Sequence, residues 1–481
     1  MKKNILSSLI AMVCLVQFSS AQQKAIYIPT IEPCACPVKV DSSFKTRCGY
    51  LIVPENRKKK NSKLIKLPFI IVESKDPDKK KDPVLFTSGG PGNSSLGWTI
   101  GITKGPIINS RDCIAFEQRG TKFAIPYIRS YELDTAIKES YRKNLSKDSM
   151  VLEGIKRYKK TLETKGIDLS GYNTYETVED IHDLLNVLHI DSVNLLGGSY
   201  SGGLMLAVLQ HDSSRIRSLI LDSPLPTFVP IDEDEPANFN EALHILSARC
   251  KKDSGVLYAD LEEKFQIYFN SIIGKTFYIN YLENGTSDSL SIRYTKNELL
   301  DVIENNLLDV SKIKEVPFII MDIIKGNHYK YIKAKLDDLF SKNPAPDGMR
   351  ISVYCADQAA YHSEDIIRQL YSIYPWMEGY HINDVYKAIC DCWAVPPVKP
   401  ITKQPFYSNK PVLLGDGAMD PACRPVYMDM IHHYMPVSQR FLFINRSHGV
   451  FGWDQGRAIV QQFLDNPYQK IATTNKDIIA Y

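Results

Sequence analysis

The run Val193-Asn194-Leu195-Leu196-Gly197-Gly198-Ser199-Tyr200-Ser201-Gly202-Gly203 constrains this chain more than any other stretch. An apolar segment of strand length stops at two glycines and passes a serine. It then resumes as Leu204-Met205-Leu206-Ala207-Val208-Leu209, apolar enough for a buried helix. A strand that turns into a helix through a serine forms a nucleophile elbow, where the serine stands out on a turn too tight for bulky neighbours. Gly197 meets that demand two positions before Ser199. Ser201, the next smallest polar choice, stands where glycine is usual two positions after it. As rival nucleophiles, Ser201 would point into the following helix and Ser223 lacks the glycines. Glycine-serine clusters also build ordinary turns, so the rest of the chain has to supply an acid and a base.

Both are present, in order. Lys410 to Pro421 reads as a strand running into a loop that carries Asp420, and Arg440 to Ile444 as another strand followed by His448-Gly449. Serine, acid, histidine is the chain order of α/β-hydrolases; the chymotrypsin and subtilisin types use other orders. Each candidate follows a predicted parallel strand, at the end where open α/β sheets place their sites. Asp416 competes with Asp420 but lies nearer the strand, so Asp420 is preferred. Upstream, Pro83 to Gly92 is a strand ending in Gly89-Gly90-Pro91-Gly92. The Gly90 N–H from that loop and the Tyr200 N–H would make an oxyanion hole. A serine hydroxyl needs an adjacent base. His448 would take its proton and return it to the leaving group, and Asp420 would hold the imidazole tautomer.

With these residues in place, the chain resembles the proline iminopeptidase and tripeptidyl aminopeptidase family of α/β-hydrolases. That family's G-G-P-G loop, D-Q-R-G turn, G-x-S-Y/W-G elbow, L-D-P acid loop and G-H-G histidine have counterparts here. They stand as Gly89 to Gly92, Glu117-Gln118-Arg119-Gly120, Gly197 to Ser201, Met419-Asp420-Pro421 and Ser447-His448-Gly449. Cys48-Gly49-Tyr50-Leu51-Ile52-Val53-Pro54 and Tyr172-Asn173-Thr174 bring it nearer the tripeptidyl branch. The resemblance covers nearly all the mature chain and is thin across residues 228–404. Glu117 for aspartate, Ser201 for glycine, and Thr87-Ser88 for a histidine are departures that bear on specificity more than on chemistry. The resemblance implies an α/β-hydrolase fold with an inserted, mainly helical cap. It implies an exported serine aminopeptidase that acts on peptides with a free amino terminus, with no cofactor or metal. A carboxylic-ester hydrolase using the same triad is the alternative. With the size and acidity of the insertion, it makes Asp357 the first candidate for binding the substrate amine, followed by Glu233 and Glu235. Arg119 is expected to pair locally and prop the glycine loop.

The expected organisation is a signal peptide at 1–21, a first core segment at 22–227, a cap at 228–404 and a second core segment at 405–481. Met1-Lys2-Lys3 precedes an apolar run from Ile5 to Phe18, with small residues at Ser19-Ser20-Ala21 for cleavage. A lipoprotein signal at Cys14 is the alternative, but Val13 before it is larger than such sites usually accept. No other stretch is long and apolar enough for a membrane span, so secretion or a periplasmic location follows. The net charge of +3 includes Lys2 and Lys3 of that leader, which argues against nucleic acid as a partner. The region 124–170 reads as charged helices over the sheet edge, and Thr177 as the start of the helix that precedes the elbow strand.

Nine cysteines remain after the leader, and their spacing does not suit zinc. We expect disulfides, with Cys48 joined to Cys36 or Cys34, Cys355 to Cys390 or Cys392, and Cys250 taking the other of that last pair. The odd thiol is assigned to Cys113, within a buried strand.

Overall fold

A computed structural model describes residues 27–254, 258, 260–287 and 289–481. The expected leader, the start near Gln22 and Cys14 lie outside the described residues. Among these, twelve strands occur: β1 (Thr30–Pro33), β2 (Thr46–Pro54), β3 (Leu64–Val72), β4 (Lys80–Thr87), β5 (Arg111–Phe116), β6 (Val193–Ser199), β7 (Ile216–Pro224), β8 (Phe277–Leu282), β9 (Ser289–Tyr294), β10 (Val412–Gly417), β11 (Ser438–Phe443) and β12 (Ile478–Ala480). Ten form one sheet in the order β1-β2-β3-β5-β4-β6-β7-β10-β11-β12, while β8 and β9 pair as a separate ribbon. From β5 through β4, β6, β7 and β10 to β11 every pairing is parallel; β1 to β3 and β12 add antiparallel edges.

The central strands are apolar on both faces because helices cover both. Along β7, Leu219 and Leu221 join the core under the helices Thr174–Val187 and Tyr200–Asp212, whereas Ile220 turns to Val460 and Phe463 of the Asp454–Asp465 helix. The Thr174–Val187 helix starts one turn before Thr177. Asn173 caps it, accepting from the Glu176 amide at 3.0 Å.

Between β7 and β10 the chain leaves the sheet and builds a mainly helical layer with its own core, including Phe239, Phe265, Phe269, Leu299, Ile320 and Trp376. The helices Glu132–Arg142 and Lys147–Thr164 pack on this layer and not over the sheet edge. Tyr141 enters its core, and Ile155, Tyr158 and Leu162 pack with Ile351 and Trp393. Their apolar faces find a matching apolar surface there.

Disulfides join Cys36 to Cys48 and Cys355 to Cys390. Cys392 and Cys113 are free thiols, so the expected bridge between Cys392 and Cys250 is not formed. Among the described residues, no helix is long and apolar enough to cross a membrane.

Candidate active site

Ser199 ends β6 at φ +55° and ψ −130°, a backbone conformation rare outside glycine that persists only where the surroundings impose it. The turn is held by crowding. A side chain on Gly197 would start 2.4 Å from the Ser201 carbonyl oxygen, and one on Gly89 would start 2.7 Å from that of Gly198. Ser201 has a partner of its own: its hydroxyl meets Thr87 Oγ1 at 2.5 Å in a fully buried pair between the elbow and the end of β4.

His448 Nδ1 and Asp420 Oδ2 lie 2.6 Å apart, and Asp420 is buried. The other Asp420 oxygen accepts from the amides of Ala422 (2.8 Å) and Cys423 (2.9 Å). The Nδ1–H is thereby committed to Asp420, which leaves Nε2 as the basic nitrogen. Burial opposes charge on His448, but the charge of Asp420 and its hydrogen bond, helped by Asp222 and Glu304, raise its pKa above the ordinary value. Asp222 steadies the histidine loop by accepting from the amides of Val450 (2.7 Å) and Phe451 (3.2 Å). The Ser199 hydroxyl lies 3.9 Å from the Cys423 thiol; among the described residues it makes no hydrogen bond to His448. Such bonds are often long before substrate arrives.

Asp416 is the buried neighbour of Asp420. Its Oδ1 accepts from Ser223 Oγ (2.9 Å) and the Gly417 amide (2.7 Å), and its Oδ2 has no partner. Ser223 Oγ in turn accepts from the amide of Gly449, beside His448, at 3.0 Å.

Tyr200 opens the Tyr200–Asp212 helix, so its amide has no acceptor within the helix. Gly90 sits at φ +114° in the loop packed on Gly198 and Ser199. That loop is propped by the neighbours of Arg119. Glu117 accepts from the amides of Ser95 (2.8 Å) and Leu96 (3.1 Å), and Gln118 donates to the Ser88 carbonyl at 2.6 Å. Arg119 itself forks onto Asp180 at 2.8 and 2.7 Å and also donates to the carbonyls of Glu55 and Gly171. Its fork geometry suits a carboxylate, which the loop does not offer.

Ser199, Tyr200, Gly90 and His448 line one cavity of about 1220 Å³, walled opposite by the helical layer. Six acidic residues of that layer line the wall: Glu235, Glu298, Asp301, Glu304, Asp357 and Asp384. Asp357 accepts from the amide and hydroxyl of Thr174 through Oδ2, and burial pushes its carboxyl up to about 6. Burial, followed by the charge of Asp232, drives Glu235 well above the usual range. Burial, then Asp301 and Asp420, push Glu304 up to about 8. Among the described residues neither glutamate forms an ion pair, whereas Asp301 beside them is paired with Lys335 at 2.7 Å. Glu233 lies off the cavity and accepts from the Ser363 amide at 2.6 Å. Sequence reasoning did not single out Glu304 or Cys423. The available signal for Glu304 was its spacing, three residues after Asp301, in the otherwise apolar run Leu299-Leu300-Asp301-Val302-Ile303-Glu304.

A family model described as alpha/beta hydrolase fold matches residues 82–270. No curated protein sequence matches the chain. Among solved structures, a proline iminopeptidase from Mycobacterium smegmatis is similar at 14% identity and TM-score 0.43, over 87% of this chain and 98% of that one. An esterase from Exiguobacterium antarcticum is similar at 13% identity and TM-score 0.36, over 86% and 98%. A thermophilic esterase from Thermogutta terrifontis is similar at 12% identity and TM-score 0.39, over 87% and 99%.

Proposed function

We propose, from the premise that this chain has the α/β-hydrolase fold, that it is an exported serine aminopeptidase releasing a short amino-terminal segment from peptides. Ser199 attacks the scissile carbonyl, His448 takes its proton through Nε2 and passes it to the leaving amine, and Asp420 stabilises the imidazolium. The amides of Gly90 and Tyr200 receive the developing oxyanion. Water then releases the segment from the acyl-enzyme by the same steps in reverse roles.

One observation carries the peptidase reading over the esterase: Glu235 and Glu304 line the same chamber as Ser199 and His448 and, among the described residues, form no ion pair, although Arg350 and Lys335 act on them from farther off. An entering amino terminus loses hydration there and needs a carboxylate partner. Bound ammonium would draw both glutamates to their ionised form. Asp357 is a further wall carboxyl, with one oxygen already engaged with Thr174. Residues 228–404 serve as the cap that roofs the elbow and limits how much chain fits before the cleaved bond. The two disulfides suit the oxidising compartment that an exported chain reaches.

The test compares peptide amides with their amino-acetylated forms. We expect kcat/KM to fall about 30-fold or more on acetylation, the scale of removing one partner of a buried charge pair. Glu235→Gln and Glu304→Gln should erode that preference, while a preference surviving Asp357→Asn would remove only that residue from the amine site. Equal rates on both substrate forms would defeat the reading and favour a carboxylic-ester hydrolase.

A further inference from the structure

Arg350 lies on the Gly348–Tyr354 helix of the cap, yet its guanidinium reaches into the core. Its Nη1 donates to the carbonyl of Gly90 at 2.7 Å, across 260 residues of sequence. The backbones are equally close: a side chain on Gly92 would start 3.0 Å from Arg350 Cβ. The rest of the fork is occupied on the cap side. Nε donates to Asp384 Oδ1 at 2.7 Å, and Nη2 to Asn383 Oδ1 at 2.8 Å. The Asn383 amide group donates in turn to Glu235 and, at 2.8 Å, to the Tyr354 hydroxyl. A continuous polar path therefore runs from Glu235 in the chamber through Asn383 and Arg350 to the glycine loop beside Ser199.

Glycine restricts its own backbone less than any other residue. An oxyanion donor is worth most when its direction is fixed before charge develops. Glu117 and Gln118 hold the flanks of this loop at Ser88, Ser95 and Leu96. Gly90 lies between those points: its N–H shares a peptide unit with the Gly89 carbonyl, which accepts from the Asn93 amide at 3.4 Å, and on the far side of the residue's φ and ψ its own carbonyl accepts, among the described residues, only from Arg350. A planar fork that binds a carbonyl and two side chains at once sets orientation in a way that a lysine ammonium does not.

We propose that Arg350 is a positioning residue for the oxyanion donor at Gly90, and that through Asn383 it links occupancy of Glu235 by a substrate ammonium to the setting of that donor. The first half rests on Ser199 and Gly90 acting as assigned above, and the second also on the amine site. An ammonium that ionises Glu235 strengthens the bond from Asn383, because a charged acceptor binds a donor more tightly. Asn383 then holds its other end on Arg350. Substrate with a free amino terminus would thus meet a better-fixed oxyanion hole than substrate without one.

The experiment uses the full exported chain and two probes that do not need the amine site: p-nitrophenyl acetate turnover and the rate of fluorophosphonate labelling. Arg350→Ala is expected to lower kcat on the acetate and the labelling rate by roughly 10- to 100-fold, below the effect of deleting a donor outright. Arg350→Lys should recover part of kcat. If the alanine variant does not fold, Arg350→Gln and Arg350→Lys answer the same question with the side-chain stem retained. An acetate kcat within about twofold of wild type, with only a lower melting temperature or a changed KM, would make Arg350 a simple cap latch and overturn the proposal. For the link, a double-mutant cycle of Arg350→Ala with Glu235→Gln on a free-amine peptide amide should be non-additive, and additive losses would overturn that half. The outcomes separate from the peptidase reading. Equal rates on acetylated and free peptides would reject that reading without changing the acetate result, and wild-type protein that takes no label would reject Ser199 itself.

Discussion

Asp420 has both oxygens engaged, one on His448 and one on two backbone amides, whereas Asp416 beside it has one oxygen bonded and one bare. Burial, followed by the charge of Asp420, pushes Asp416 well above the carboxylate range, which favours its protonated form. Asparagine copies the neutral form. Asp416→Asn should therefore cost less than about tenfold in kcat, and Asp420→Asn on the order of 10⁴, as for a triad acid whose loss leaves the wrong tautomer. Steady-state kinetics on one substrate decides this, and comparable losses would mean that Asp416 is charged. Glu304 gives a second residue-level expectation. Its ordinary value is 4.5 and its folded value is about 8, so between those pH values the folded chain holds a proton that the unfolded chain has released. Its contribution to stability is complete below about pH 4.5 and lost as pH rises through about 8. Glu304→Gln should lose less melting temperature than wild type between pH 5 and pH 8. Parallel curves would show that the carboxyl is not held protonated.

Among the elements, the passage from β6 into the Tyr200–Asp212 helix is held from the side by β4. The sequence reads Ser201 as a tolerated departure from glycine, but the structure gives it the Thr87 hydroxyl as a buried partner. Removing one hydroxyl strands the other. Ser201→Ala should destabilise by about 1–2 kcal/mol. Adding Thr87→Val should restore most of that loss, because a pair replaced by apolar groups leaves nothing unsatisfied. Denaturant titration of both variants measures it, and a double variant no more stable than the single would discount the pair. The Gly348–Tyr354 helix has a comparable bridging position. It packs Met349 and Val353 on Tyr200, directly after Ser199, and carries Arg350 to the loop on the other side.

Across the whole molecule, one chamber is walled by parts of the chain that lie far apart in sequence: the sheet's strand ends, the helices at 132–164 and the layer between β7 and β10. The fold and the order of Ser199, Asp420 and His448 were legible because their determinants are local. A strand, small residues and a buried helix lie within a few positions of Ser199, and the acid and histidine each follow an apolar strand. Asn173 and Thr177 could each begin a helix one turn apart, and periodicity alone does not choose between them. The side-chain hydrogen bond to the Glu176 amide does. The wall carboxyls belong to tertiary structure for the same kind of reason. Glu233 and Glu235 are two residues apart on one helix and point to different sides, since only positions three or four apart share a face. Both sides there are polar, so composition could not say which one meets the chamber. The sequence by itself determined the strand-turn-helix at Ser199, the chain order of Ser199, Asp420 and His448, and the apolar strands of the α/β sheet, because each shows in residues within a short window. Only the tertiary structure decided that Glu235 and Glu304 line one cavity with Ser199, that Cys392 stays a thiol, and that Arg350 reaches Gly90. Each of those depends on how the cap packs against the core.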